Sequence, residues 1–134
     1  MDADSHLEMY VETDARLMLA FANLAAESLQ KKQQQGELRF LLLAGAAACR
    51  GGYPNVTEQC YQRAVSINPH HLLAKYDSFA DAMRSEDFLT LISRLDRFCT
   101  YEHAELLLEK INPNWQEVSG DVETQCLEIL GHTS

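Results

Sequence analysis

The chain has 134 residues, 46% of them hydrophobic, a net charge of −9 and only nine Gly and Pro together. That length suits one domain, residues 1–134, able to bury roughly two thirds of its unfolded surface, and the abundance of Leu, Ala, Glu and Gln favours helix over sheet or disorder. Five acids precede Arg16 and four follow Lys110 without any Lys or Arg, while eleven acids balance eleven bases between them. Nucleic acid and anionic membrane both demand a net basic face, so neither is expected as a partner. The acidic ends serve solubility.

Cys49, Cys60, Cys99 and Cys126 stand far apart with no CxxC pair. Zinc sites and small secreted scaffolds bring cysteines much closer, so these four read as buried apolar thiols in a reducing cytosol. The first residues carry Asp and Glu where a signal peptide would carry Lys or Arg. We therefore expect a cytoplasmic or nuclear location, and treat the glycosylation-like Asn55-Val56-Thr57 as chance. The longest apolar stretch, residues 40–49, is bounded by Arg39 and Arg50 and is far short of a membrane span.

In chain order, Leu7, Tyr10, Val11, Leu17, Met18, Phe21, Leu24, Ala25 and Leu29 recur mostly at three and four, predicting a helix over residues 5–34. Ser5 with Glu8 forms a capping-box pattern at its start. Thirty residues is long for a globular helix, which leaves room for a break near residues 12–14, and Gly36 is the expected stop. The second helix spans residues 37–50 and is closed by Gly51 and Gly52. Asn55, with Glu58 three residues on, predicts the cap of a third helix ending at Asn68 and Pro69. A fourth, residues 70–84, follows from Leu72, Leu73, Tyr76, Phe79, Ala80 and Met83. Ser85 should cap a fifth, through Phe88 to Phe98, and Thr100 a sixth, residues 101–111. Trp115 and Val118 suggest a short amphipathic turn before a last helix over residues 121–130. Residues 1–4 and 131–134 are expected to be flexible ends, and the abrupt finish suggests a piece of a longer chain.

This pattern predicts an all-α protein of six to eight helices, as stacked antiparallel hairpins or as a non-repeat bundle. One window narrows the choice. Over residues 38–71, Gly45, Gly52, Tyr61, Ala64 and Pro69 place small and aromatic residues where two close helices, their turn and their exit would need them. This window resembles the tetratricopeptide repeat, a helix-turn-helix of about 34 residues. The chain departs from that pattern at Ala48, where a large aromatic is preferred, and at Thr57, where Ala is. Its Ile-Asn-Pro echo at residues 111–113 arrives 44 residues after the first, nearer the HEAT or armadillo length.

The resemblance implies a binding module of the α-solenoid kind. Chaperone-binding members hold a C-terminal carboxylate with Lys and Asn on the first helix. Leu42 and Ala46 occupy the matching positions, so no carboxylate clamp is expected; these apolar or small residues would instead suit a hydrophobic peptide or helix.

Catalytic and metal patterns are absent from the sequence. His70 and His71 point about 100° apart on a helix, His103 sits among Glu102 and Glu105 on a surface-like face, and residues 85–88 read as a cap before they read as an acid pair. No GxSxG, HExxH or phosphate-binding loop occurs. Tyr10, Phe21, Phe40, Tyr61, Tyr76, Phe79, Phe88 and Phe98 fall on apolar faces and are expected in the core. Tyr53, Tyr101 and Trp115 lie at turns or helix starts and are the candidate partner contacts. We therefore expect a non-catalytic interaction domain, an adaptor or scaffold piece without cofactor or metal. The alternatives are a self-associating bundle or a small apolar-ligand binder.

Overall fold

The computed structural model describes residues 3–118 and 120–131, with side chains from Thr13 onward. The expected cap at Ser5 and Glu8 and the apolar positions Leu7, Tyr10 and Val11 lie outside the described side chains. So do residues 1, 2 and 132–134 of the expected flexible ends. The described residues are all-α: α1 (Ala3–Gln30), α2 (Gln34–Gly51), α3 (Pro54–Ile67), α4 (Phe79–Ala82), α5 (Glu86–Phe98), α6 (Tyr101–Ile111) and α7 (Val122–Gly131), with a 3₁₀ turn at Leu72–Lys75.

Two antiparallel hairpins share α2. The α1–α2 turn closes as a Schellman motif: the Gln33 N–H donates to the Ser28 carbonyl at 2.8 Å and the Lys32 N–H to that of Leu29 at 3.0 Å. Its left-handed residue is Lys32, at φ 58°, at a cost of roughly 1–2 kcal/mol relative to Gly. Gly36 is therefore not the stop. It sits in the first turn of α2, where a Cβ would lie 3.2 Å from Ser28 Oγ, so its smallness serves the close approach of α1 and α2. Nor does α1 break at residues 12–14; there Asp14 pairs with Arg50 Nε at 3.3 Å and ties the helix to the end of α2.

The α2–α3 turn closes as expected at Gly52, whose φ of 81° favours glycine. Asn55, the expected cap, lies one residue inside α3, which starts at Pro54. Its own N–H donates to Glu123 Oε2 at 3.1 Å, so a carboxylate from α7 satisfies the start of α3. At the other end, Arg63 donates to the Leu130 carbonyl and pairs with Glu37 at 2.8 Å. These two ties make α3 and α7 parallel neighbours although the joined residues lie 68 and 67 positions apart in the chain.

The expected fourth helix is not continuous. Residues 70–84 form the 3₁₀ turn, an extended link and the single turn of α4. Side chains take the backbone groups a helix would use. His71 Nδ1 accepts from the Leu73 N–H, the Tyr76 carbonyl accepts from the Tyr61 hydroxyl, and Ser78 Oγ accepts from the Asp81 N–H. Farther along, α5 starts after Ser85, whose hydroxyl receives the Tyr76 hydroxyl at 2.7 Å rather than capping the helix. Thr100 does cap α6, accepting from the His103 N–H at 3.3 Å.

All eight residues from Leu41 to Ala48 are buried, because α1, α3, α4 and α5 each pack on α2. The expected role of Gly45 is refined: a Cβ there would lie 2.3 Å from the Phe79 ring, so the glycine admits a side chain of α4 rather than the backbone of α3. Phe79 then meets Phe88 edge-on, with centroids 5.5 Å apart. The chain also returns to its start, since α6 and α7 both pack against α1. In a linear solenoid each repeat touches only its neighbours; the described helices instead form a hairpin bundle closed on its first helix.

Candidate interaction surface

The three aromatics nominated as contacts gather around one turn of α1, but as supports. Trp115 is only 2% exposed and lines a cleft with Arg16, Leu19 and Val122. Its indole Nε1 is buried without a hydrogen-bond partner, an orphan donor in the core. Tyr53 is half-buried; its phenol is pushed up by burial first and then by nearby carboxylates, among them Asp121 and Asp14. Tyr101, also half-buried, has its phenol raised by burial and then by Glu105, with Arg16 opposing. Glu105 stands beside that hydroxyl outside bonding geometry, so the hydroxyl is buried and unpartnered.

Leu42 and Ala46 are corrected more sharply. At 2% and 1% exposure they belong to the all-round burial of α2 and present no surface to a partner. The repeat-signature residues act in packing and closure: Gly45 against Phe79, Gly52 in the turn, Tyr61 by its hydrogen bond to Tyr76, Ala64 buried on α3, and Pro69 exposed just beyond α3.

The surface that stands out was expected in the core. Phe98, the last residue of α5, is 74% exposed, the most exposed large hydrophobic side chain among the described residues. Successive helical residues turn about 100°, so Phe98 lies roughly 90° from the centre of the Phe88, Ile92, Leu95 and Cys99 stripe. The spacing alone could have marked it as an edge residue. The Arg39 guanidinium sits over its ring, 5.3 Å from the centroid, and holds the aromatic in place without covering it.

No family model, curated protein or solved structure matches the chain.

Beside Phe98 runs a groove of about 220 Å³ floored by Phe40 and Leu43 of α2, Leu95 of α5 and Leu107 of α6. Its polar lining is Ser28, Gln33, Arg39 and His103, and no carboxylate faces into it. The Cys99 thiol at its wall is pushed up by burial and by the Asp96 charge, so it stays protonated and apolar near neutrality. A shallow apolar trough with one guanidinium, that of Arg39, on its rim is suited to hold a side chain or a helix face. Cys99 and His103 both line it, but the raised thiol is not an activated nucleophile.

A second cleft of about 340 Å³ opens beside Tyr53, between Cys49, Pro54, Glu58 and Phe79. Burial pushes the Cys49 thiol up, so it is no activated nucleophile. Among the described residues no group of three His, Cys, Asp or Glu side chains is placed to share a metal ion, and no helix is long and apolar enough to cross a membrane. The imidazole of His71, which the doublet brought to notice, is lowered by burial and engaged as a backbone acceptor.

Proposed function

We propose that this chain is a non-catalytic protein–protein interaction domain of the adaptor or scaffold kind, which takes a partner helix or peptide into the groove beside Phe98. The observation that carries the proposal is the 74% exposure of Phe98 at the edge of an apolar groove. An aromatic held over a pocket by an arginine is the usual chemistry of an interface anchor. The tetratricopeptide-like hairpin at residues 38–71 supports the same class of role, with the groove and not the inner face of that hairpin as the binding surface. Leu42 and Ala46 offer a chaperone carboxylate neither charge nor access, which supports a different class of ligand. The site of action in this reading is the cytoplasm or nucleus.

Photo-crosslinking tests it. A photoreactive phenylalanine analogue at position 98 should capture a discrete protein from cell extract, and Phe98→Ser should abolish co-purification of that protein. Equal recovery with Phe98→Ser, or turnover of a small molecule by the purified chain, would overturn the proposal.

A further inference from the structure

The groove's chemistry also suggests what fills it. We propose that it receives the acidic N-terminal segment, residues 1–12, of a second copy of this chain; the inference rests on the groove being an interaction surface. Arg39 and His103 line the groove with no carboxylate among its walls, and Lys32 stands on the adjoining turn. Residues 1–12 carry Asp2, Asp4, Glu8 and Glu12 with no Lys or Arg, and Leu7, Tyr10 and Val11 recur at the three-and-four spacing that sets anchors on one face of a helix. Charge and apolar spacing are thus complementary between the two ends of α1. Charge complementarity of this kind speeds encounter and fixes register.

Geometry makes the pairing intermolecular. Asp14 is tied to Arg50 at the end of α2, and Val122 at the start of α7 shares a cleft with Ala15 and Leu19. Helix α1 continues for eleven residues, 3–13, before that level, a length of about 16 Å. The groove lies at the opposite end, by Ser28, Gln33 and Gly36. Tyr10 and Ser28 lie on one unbroken helix, which separates them by about 27 Å. A chain cannot fold its own segment into its own groove, so the occupant comes from another copy. Reciprocal exchange gives a closed pair, and one-way insertion gives a growing string.

Two variants each disable one half. Phe98→Ser removes the anchor beside the groove, while Leu7→Ser/Tyr10→Ser removes the apolar face of the segment. Light scattering across a concentration series should show the unmodified chain associating, each variant alone remaining monomeric, and an equal mixture of the two forming a heterodimer. A fluorescent peptide of residues 1–12 should bind the Leu7→Ser/Tyr10→Ser chain, should bind the Phe98→Ser chain at least about tenfold more weakly, and should lose affinity as salt is raised. Circular dichroism checks that both variants fold. A monomeric unmodified chain, or a peptide that ignores Phe98→Ser, overturns the inference. In that event a different protein crosslinked through position 98 would leave the proposed function standing, and the absence of one would remove both.

Discussion

Helices α2 and α5 both carry several large apolar side chains and meet opposite fates. Residues 41–48 of α2 are buried on every side, whereas α5 has only Phe88 and Ile92 fully buried and leaves Leu89 and Phe98 in solvent. The difference comes from neighbours: α2 is enclosed by four elements, while α5 packs chiefly on α2. Small residues allow that enclosure. Ala44, Gly45, Ala46, Ala47 and Ala48 let several helices and one aromatic ring approach a single axis. Stability should therefore concentrate at α2 and its ties, and recognition on α5.

Phe79→Ala should strike that contrast hardest, since it empties the space over Gly45 and removes the edge contact with Phe88; we expect a loss of about 3–5 kcal/mol by denaturant unfolding. Next is Arg63→Ala, which leaves Glu37, 4% exposed, as an unpaired buried carboxylate. A loss of about 3 kcal/mol is expected, with partial recovery in Arg63→Met/Glu37→Leu, where both charges are gone. Ala64→Leu should cost roughly 1–3 kcal/mol by overpacking α3; an unchanged melting temperature would remove the close packing there.

A pH effect belongs to the α3–α7 contact. Burial pushes the Cys60 and Cys126 thiols from 9.0 up to about 12. The folded state therefore keeps protons that the unfolded chain releases, so this part of the stability is whole below pH 9 and falls as pH rises toward 12. Urea midpoints at pH 8 and pH 10 should differ by less in Cys60→Ala/Cys126→Ala than in the unmodified chain. The smallest effect is expected at Phe98→Ser, within about 0.5 kcal/mol of the original stability because the residue is exposed. A larger loss would mean that Phe98 belongs to the core after all and would dissolve the contrast with α2.

Much of the fold was legible because local signals agreed with tertiary packing. Thr100 marked the start of α6, Gly52 the end of α2, and Ser85 the boundary of α5, although its hydroxyl serves Tyr76. The signals failed where distant groups replaced local ones. Helical spacing from Leu72 to Met83 reported a common side, which a 3₁₀ turn and a single α-turn satisfy equally well once Tyr61, His71 and Ser78 take up the backbone groups. Gly36 was misread because Lys32 accepts the left-handed conformation. Asn55 was misread because its helix is capped from residue 123. The candidate surface was the least legible part: position on a helical wheel makes Phe98 an edge residue, and only the arrangement of α2 and α6 decides which edge stays uncovered. Trp115 failed in the opposite sense, since nothing local reveals that the loop after α6 folds onto α1.

The dependence of α3 on α7 also bears on how the chain is made. During synthesis the first three helices emerge with their pairing surfaces in hand, but the backbone at Asn55 and the guanidinium of Arg63 wait for partners that appear only with Glu123 and Leu130. A nascent chain still lacking α7 would hold Glu37 against Arg63 with the side that Leu130 and Cys126 cover open to water. Completion of the α2–α3 hairpin thus waits on α7, and a nascent chain that has not reached residue 123 leaves the start of α3 without its carboxylate partner.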